Sequence, residues 1–404
     1  MIQQNKIVGA VEIGTSGVKV LIGDIVNGRS LNIIGMGQCS SRGVKKGEIV
    51  DFKTVSNCTH AALMGAEKSA GVQVESVYLS QTGGHLRGVF NSAAVNVSSS
   101  DNRVRKSDIE RVANEAKSKE LAPGLVYIHH MQNAFLLDGE IVENPLGMEG
   151  SKLEVNYWSV YGDENKIRDH IHVINGFGLN VEDMIISSIA SGIMVASDVE
   201  KRQGVLVIDI GSGTTDWVLY KGGVIVQTGV LAVGGDHILN DLSIGMQLNR
   251  KYAERMLMEF GKANIEKQDR DEKVWMVGDQ TIGDRYISKQ GLVEIIHARV
   301  EELFAIIATQ LGDKCDPEII RAGAVLTGGV SALPNINAVA GKVLGADVRT
   351  GRNPSWVRED LRACEYSTTL GLLHYALTGD DKDEADEEPR NKGLLQKVAK
   401  IFAA

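Results

Sequence analysis

Two turns rich in glycine, serine and threonine are the part of this chain best suited to chemistry. Each follows a short apolar run that ends in an acid, Glu12 before the first turn and Asp209 before the second. Such a turn presents successive backbone N–H groups with no Cβ in the way, which suits a phosphate oxyanion. The turns consist of Gly14, Thr15 and Ser16, and of Gly211, Ser212, Gly213, Thr214 and Thr215.

The acid beside each turn indicates what would accompany the phosphate. Glu12 and Asp209 would repel a bare phosphate, but carboxylates hold Mg²⁺ readily through its bound waters. We therefore expect the two turns to face each other and to clamp a triphosphate with its magnesium ion. A lone turn of this kind is more often only a tight hairpin, so the prediction rests on the pair.

Two further glycine pairs lie later in the chain. Gly328-Gly329-Val330 follows a short predicted strand, and its double glycine would let a flat base lie against the backbone. Gly234-Gly235 precedes a helical stretch and is a weaker signal. The chain has neither a G-x-x-x-x-G-K-[ST] phosphate loop nor a complete dinucleotide-binding fingerprint. The order of the glycine turns along the chain therefore carries more information than any single turn.

The pattern of apolar runs predicts the elements that position these turns. Three short strands form a meander beginning near Ile7, and the same pattern returns about 200 residues later from Val205. This repeat predicts two related α/β lobes, each opening with a glycine hairpin. Residues 85–162 read mostly as strands and turns and form a candidate inserted subdomain. The spacing of apolar residues predicts helices over 104–118, 164–175, 237–260 and 291–311.

Length and composition narrow the class of protein. With 404 residues the chain is too long for one small core, and 45 glycines against 6 prolines indicate tight turns rather than linkers. The net charge of −9 offers no general attraction to nucleic acid. The four cysteines are scattered, and the sequence shows neither a signal segment nor an apolar run of roughly 20 residues. We expect a cytoplasmic protein whose contact with a membrane is peripheral.

The C-terminal residues give a second signal. Residues 379–392 are rich in acids and predict a disordered, self-repelling linker. Residues 393–404 place apolar side chains on one helical face with lysines beside it, which is typical of a helix lying on a membrane surface. Docking on the protein's own body or on a partner is the alternative. The residues expected at the membrane are Leu394, Leu395, Lys397, Val398, Lys400, Ile401 and Phe402.

Six segments together resemble the actin-like ATPase superfamily and, within it, the FtsA family of bacterial cell-division proteins. The glycine turns are specific only to the superfamily. The second and third segments and the C-terminal tail make the likeness to FtsA specific. The segments are GAVEIGTS (9–16), SRGVKKG (41–47), NPLGMEG (144–150), VIDIGSGTTD (207–216), VLTGG (325–329) and YSTTLGLLHY (366–375).

The resemblance implies a two-lobed actin-like α/β fold with a small inserted α+β subdomain and a C-terminal amphipathic helix. The first lobe would comprise residues 1–84 and 163–200 with part of 350–378, the insert 85–162, and the second lobe 201–349. ATP and Mg²⁺ would lie between the lobes, and protomers would assemble into filaments. The tail would anchor the division ring to the cytoplasmic face of the inner membrane at the division site, while the insert would bind later division proteins.

The resemblance also implies roles for individual residues of the second lobe. The tail peptide of FtsZ would bind there, with Arg299 as the candidate contact and Glu302 beside it. Glu254 would flank the ribose and adenine of the nucleotide. Leu257 stands where relatives carry lysine, so nucleotide affinity or base preference is expected to differ, with Arg255 as a partial substitute.

Two further departures from the family pattern concern catalysis. Glu12 stands where the superfamily usually has Asp, a change that FtsA-type proteins tolerate. Ser187-Ser188 stand where many relatives have a Glu or Gln that positions the attacking water. Because serine is too short to orient a water in the same way, we expect weak ATP hydrolysis or none, and no catalytic residue is assigned.

Three functions are consistent with these features. The favoured one is an ATP-binding actin-like protein that polymerises on the membrane and tethers FtsZ filaments. A small-molecule kinase or ATPase of the same fold would need a catalytic Asp in the cleft and no membrane helix. An actin-like scaffold of another membrane machine, of the pilus-assembly type, is not expected to carry the acidic linker and cationic tail.

Overall fold

The architecture comes from a computed structural model that describes residues 5–278 and 283–385, with side chains as far as Thr378. The predicted membrane helix 393–404 lies outside the described residues, as does the second half of the predicted linker.

The chain opens with the antiparallel meander that the sequence predicts. Its first three strands pair in order, and the glycine turn 14–16 is the first of the two connections. The next helix covers one face of the meander, where Val11 and Val20 pack against Val55 and Ala62. The elements are β1 (Asn5–Ile13), β2 (Gly17–Val26), β3 (Ser30–Ser40), β4 (Val44–Lys45), β5 (Glu48–Ile49), α1 (Phe52–Ala70) and β6 (Ser76–Gln81).

A small α+β unit is inserted after β6. Its elements are β7 (Arg87–Asn96), α2 (Lys106–Lys117), β8 (Leu125–Leu137), β9 (Glu140–Val142) and β10 (Lys152–Asp163). The four strands form an antiparallel sheet in the order β7-β10-β8-β9, and Val112 and Ala116 of α2 pack against it. The insert also touches the second lobe, since Trp158 Nε1 donates a hydrogen bond to Thr228 Oγ1 at 3.0 Å.

The chain then returns to the first lobe through α3 (Glu164–Asn175), β11 (Asn180–Ile186), α4 (Ser187–Val195) and α5 (Asp198–Gln203). The first-lobe sheet has the order β11-β6-β1-β2-β3, in which β6 is parallel to both β1 and β11. Helix α3 has the bounds that the sequence predicts.

The second lobe repeats the first. Its sheet has the order β18-β17-β12-β13-β14, with an antiparallel meander followed by parallel strands beside its first strand, as in the first lobe. The elements are β12 (Val205–Ile210), β13 (Thr215–Lys221), β14 (Val224–Leu231), α6 (Gly235–Gly245), α7 (Arg250–Phe260), β15 (Lys273–Met276), β16 (Arg285–Ser288), α8 (Lys289–Leu311), β17 (Ala324–Thr327), α9 (Ile336–Leu344) and β18 (Val348–Thr350). The chain then returns to the first-lobe sheet as α10 (Ser367–Ala385). The two related lobes predicted from the glycine hairpins are therefore present.

Two expectations for helices differ from the structure. Residues 237–260 form two helices rather than one, because Gln247 has a φ of 51° and Asn249 caps α7 by accepting the N–H of Tyr252. Helix α10 continues through Ala385, so its backbone runs into the segment 379–392 that was predicted to be a disordered linker. A helix whose first turns are fixed by packing extends at little further cost.

Helices α4 and α10 lie between the two sheets and join the lobes. They share one hydrophobic core with both lobes, in which Ala190 and Leu370 pack with Val8 of β1 and Val205 of β12. The helices are in close backbone contact at Gly371, where an added Cβ would lie 1.8 Å from the carbonyl oxygen of Ala190. The contact therefore requires glycine.

We predict that Gly371→Ala lowers the free energy of unfolding by about 1–3 kcal/mol, because the two helices would have to move apart. Gly65→Ala is the matched control, since Gly65 also lies inside a helix but its added Cβ would meet nothing closer than 3.5 Å. The control should gain roughly 0.5–1 kcal/mol from helix propensity. Urea unfolding of both variants tests the contact, and equal effects would contradict it.

Candidate nucleotide and magnesium site

Strand alternation places three carboxylates in the space between the lobes. In β1, Val11 and Ile13 face α1, so Glu12 faces the opposite side with Val8 and Ala10. In β12, the side chains of Val205 and Val207 face the shared core, and Asp209 continues that face. Because directly opposed residues of an antiparallel pair share a face, Asp216 of β13 lies on the same side as its partner Asp209.

Each carboxylate accepts a hydrogen bond from a threonine hydroxyl. Thr369 Oγ1 donates to Glu12 Oε2 at 3.1 Å, and Thr368 Oγ1 donates to Asp209 Oδ2 at 2.8 Å. Both threonines lie in the first turn of α10. Thr82, which follows β6 of the first lobe, lies 2.7 Å from each carboxylate oxygen of Asp216. The acids are thus held by groups that lie on other elements of the fold.

The site brings three carboxyl groups together with one nearby lysine. Burial raises the pKa of Asp216 to about 8, and the carboxylates of Asp209 and Glu12 act in the same direction. Burial, together with the charge of Glu12, raises the pKa of Asp209 to about 6. Lys19 provides a partial counter-charge, with Nζ 3.8 Å from Glu12 Oε2, and it also donates to the carbonyl of Glu365 at 2.5 Å. An environment that disfavours carboxylate charge in this way would be relieved by a cation.

The glycine turns meet at close range. An added Cβ at Gly213 would lie 2.2 Å from Thr15 Oγ1, so the turns of the two lobes are in direct contact. An added Cβ at Gly234 would lie 2.4 Å from the carbonyl oxygen of Gly211, and one at Gly328 would lie 2.4 Å from Asp209 Oδ1. Glycine is therefore required at these three positions for the backbone to surround the acids.

Gly235 and Gly329, the second glycines of the two later pairs, differ in how closely other atoms surround them. Gly235 N–H donates to the Gly211 carbonyl at 3.0 Å, and an added Cβ on Gly235 would lie 2.9 Å from Val330 Cγ2. An added Cβ on Gly329 would meet nothing within 4 Å, which leaves its surface open. The turns that follow β12, β14 and β17 therefore converge on one place.

The hydroxyl groups of the turns differ in their availability. Thr215 Oγ1 donates to the Val233 carbonyl at 2.8 Å and so secures the neighbouring loop. Thr214 Oγ1 lies 3.2 Å from Thr82 Oγ1, and Thr15 Oγ1 accepts the N–H of Gly47 at 3.5 Å. In the first turn, Gly14 and Gly17 exchange two backbone hydrogen bonds, and the Ser16 carbonyl accepts the N–H of Ser41.

These residues fit a nucleotide phosphate with a hydrated magnesium ion. Among the described residues, no group of three or more His, Cys, Asp or Glu side chains is placed to hold a metal ion directly. Mg²⁺ loses its waters reluctantly and commonly meets a protein through them. Glu12 and Asp209 are therefore the residues that would hold its waters, and the glycine turns would bind the phosphate oxygens through backbone N–H groups.

The residues expected near the base and ribose are less well defined. Glu254 lies exposed on α7, and Leu257 on the same helix packs partly buried against the second-lobe core. Arg255 Nη2 donates to the Val277 carbonyl at 2.6 Å, and its guanidinium lies over the ring of Tyr252. The guanidinium of Arg255 is therefore engaged by the backbone of Val277 and by the ring of Tyr252.

The serines at the start of α4 lie beside the cleft. Ser187 Oγ donates to the carbonyl of Gln81 at 3.4 Å. Ser188 is fully buried, and its Oγ has no hydrogen-bond partner among the described residues. The side-chain oxygen of Gln81 is likewise buried and without a partner in this part of the chain. These unsatisfied groups mark a polar region next to the acids.

Arg299 lies on α8 of the second lobe. Its Nε donates to Asp241 Oδ2 at 2.6 Å, which ties α8 to α6, and its Nη1 pairs with Glu302. The Glu302 side chain is 55% exposed and that of Arg299 25% exposed. The guanidinium is therefore held in a fixed position at the surface.

Several residues of the site were not identified by sequence reasoning. Lys19 lies opposite Glu12 in the first hairpin, in the same register that places Asp216 opposite Asp209 in the second. The seven-residue spacing in both hairpins is a signal that would have found Lys19 and Asp216. Thr368 and Thr369 lie 159 and 357 residues from the acids that they contact, so sequence spacing gives no sign of them.

Duplicated lobes with acid-tipped hairpins around a central cleft define the actin-like class of fold. Two solved structures support this assignment at the level of the fold. The PilM-PilN type IV pilus biogenesis complex is 15% identical with a TM-score of 0.63, and covers 92% of this chain and 98% of that chain. MreB5 of Spiroplasma citri bound to AMPPNP is 15% identical with a TM-score of 0.55, and covers 94% of this chain and 98% of that chain.

Sequence comparison makes the assignment specific. The family model for cell division protein FtsA matches residues 206–371, and that for the SHS2 domain inserted in FtsA matches residues 83–161. The cell division protein FtsA of Neisseria meningitidis serogroup B is 32% identical over 382 residues, which span 93% of this chain and 91% of that protein. The chain belongs to the FtsA family, and both the resemblance and the predicted two-lobed actin-like fold with its inserted subdomain are confirmed.

His85 gives the loop beside Thr82 a predictable dependence on pH. Its Nδ1 accepts the N–H of Asp163 at 3.3 Å, a bond that requires the unprotonated nitrogen. Burial lowers the pKa of His85 to about 4, and Lys166 and His170 act in the same direction, against Glu48 and Asp163. Because the unfolded chain protonates near 6.5, the contribution of His85 to stability is complete above that pH and is lost as the pH falls toward 4.

We predict that His85→Gln flattens the fall in the free energy of unfolding between pH 6.5 and 4. The difference in slope should stay below one proton, or about 1.4 kcal/mol per pH unit, because a single imidazole binds at most one proton. Urea unfolding across this range measures it, with His60→Gln on the exposed face of α1 as the control. Equal slopes for wild type and His85→Gln would contradict the prediction.

Proposed function

We propose that this FtsA-family protein binds ATP with Mg²⁺ between its lobes, polymerises, and tethers FtsZ filaments to the cytoplasmic face of the inner membrane at the division site. The observation that carries the proposal is the likeness to cell division protein FtsA over more than nine-tenths of the chain. The geometry of the cleft adds support for the nucleotide, which would act as a ligand that favours an assembly-competent state.

Two features of the cleft support ATP with Mg²⁺. The first is the convergence of glycine turns whose backbones approach within reach of one another, as a phosphate-binding cradle requires. The second is the carboxylate group at the same place, with Lys19 as its partial counter-charge. A magnesium–nucleotide complex would supply the missing positive charge to the acids and negative charge to the N–H groups.

The start of α4 supports weak ATPase activity. Ser187 donates to a backbone carbonyl, and the hydroxyl of Ser188 is enclosed in the protein. Neither serine extends a group into the cleft in the manner of a Glu or Gln side chain. We infer that ATP serves mainly as a conformational ligand and is turned over far more slowly than the ~10 s⁻¹ typical of enzymes.

The proposed contact with the membrane is peripheral. Among the described residues, no helix is long and apolar enough to span a bilayer. The sequence pattern of residues 393–404 supports an interfacial helix, with its lysines beside the apolar face. A single short helix binds a membrane weakly, so several copies carried on one filament would bind by avidity.

The proposed partners are FtsZ, further copies of this chain and later division proteins. For FtsZ, support comes from Arg299, whose guanidinium is held at the surface by Asp241 and Glu302. For later division proteins, support comes from the insert 85–162, which exposes the apolar side chains of Phe90, Ile141 and Leu146.

We predict that Arg299→Glu weakens binding of the FtsZ tail peptide by about tenfold or more. The substitution removes the positive charge that would contact the peptide and puts a negative charge in its place. Arg299→Gln should weaken binding less. Fluorescence anisotropy of a labelled peptide measures both affinities.

Arg321→Glu is the matched control, because Arg321 also pairs with a glutamate three residues away, Glu318, at an exposed site. Unchanged binding by Arg299→Glu, or equal losses in both variants, would count against the assigned contact.

A further inference from the structure

Two neighbouring threonines link the carboxylates of the two lobes. Thr368 donates to Asp209 of the second lobe, and Thr369 donates to Glu12 of the first. We propose that this pair positions the two carboxylates for one hydrated cation, and so couples cation binding to the closure of the lobes. The proposal rests on the proposed function, because it assumes that the cleft binds nucleotide with Mg²⁺.

Helix geometry explains how adjacent residues serve different lobes. Successive residues of an α-helix are about 100° apart around its axis, so the two hydroxyls point toward different strands. Thr368 is 5% exposed and Thr369 is fully buried, which leaves each side chain little freedom to choose another partner. The N-terminal end of a helix also carries partial positive charge, which favours carboxylates beside it.

The first turn of α10 is itself held in place. Leu370 and Leu373 are fully buried, and Gly371 lies against the backbone of α4. Ser367, just before the pair, accepts a hydrogen bond from Thr327 at 2.9 Å and donates to Asn353 at 3.0 Å. Three consecutive hydroxyl residues therefore bond to three separate parts of the fold.

The pair is not explained by the needs of the helix. Thr378, later in α10, shows the ordinary local arrangement, in which the hydroxyl donates to the carbonyls of His374 and Tyr375. The hydroxyls of Thr368 and Thr369 instead donate to acids that are distant in sequence. Each acid is thereby held in one orientation.

The consequence for a cation follows from its geometry. Mg²⁺ requires nearly ideal octahedral coordination, so the oxygens that hold its waters must be well placed. Glu12 and Asp209 belong to different lobes, so separation of the lobes would move the two acids apart. They keep their relative position only while both stay bonded to the first turn of α10. A cation that needs both acids would therefore favour the closed arrangement over the open one.

The test compares ATP affinity in Mg²⁺ and in EDTA by isothermal titration calorimetry, using the full chain. The dissociation constant in EDTA divided by that in Mg²⁺ measures how much Mg²⁺ strengthens ATP binding. Thr368→Val and Thr369→Val keep the side-chain shape and remove the hydroxyl, and each should reduce this ratio by about tenfold or more. Affinity in EDTA should stay unchanged, and Thr368→Ser and Thr369→Ser should restore the wild-type ratio.

Thr378→Val is the matched control, because it makes the same change in the same helix without a carboxylate partner. Wild-type ratios in both cleft valine variants would overturn the role of the pair while leaving nucleotide binding intact. A wild-type protein that fails to bind ATP would overturn the proposed function and the pair with it.

A second measurement does not depend on the folding of the variants. In a crystal structure of the wild-type protein with ATP and Mn²⁺, we expect one anomalous peak near Glu12 and Asp209, with both threonine hydrogen bonds retained. A bound cation with either bond broken would overturn the proposal.

Discussion

The packing of α4 against α10 is the contact on which the rest of the structure depends. Without a Cβ at Gly371, the two helices approach to backbone distance and fill the space between the sheets. Side chains of both helices belong to one hydrophobic cluster that includes strands of both sheets, so the two lobes share this core. Because the N-terminal turn of α10 is fixed by this packing, its hydroxyls occupy defined positions beside the strand ends that carry the acids.

The fixed position of these hydroxyls matters because the carboxylates beside them are largely buried. Carboxylates lose favourable hydration when they are buried, and a hydrogen bond from a neutral hydroxyl offsets only part of that loss. The raised pKa values of Asp209 and Asp216 express the remainder. A fold that keeps acids in this state without a full counter-charge is suited to a ligand that brings a divalent cation with it.

Much of the fold follows from local patterns in the sequence. The two meanders were predictable because short apolar runs separated by glycine turns occur in both lobes. Helix α3 was predictable because its apolar residues keep helical spacing throughout. The break between α6 and α7 was not, because Gln247 adopts a left-handed conformation that its residue type does not favour. The acids at Glu12 and Asp209 were found from their place beside glycine turns, whereas their threonine partners depend on contacts that only the assembled lobes create.

The proposed function requires a nucleotide cleft, a partner-binding lobe and a membrane tail in one chain. Sedimentation of FtsZ with anionic vesicles in the presence of Mg²⁺ and ATP tests that combination directly. The full chain should carry FtsZ into the vesicle pellet, and a chain ending at Lys392 should leave it in the supernatant. FtsZ that pellets equally with both chains, or with neither, would contradict the role of a membrane tether.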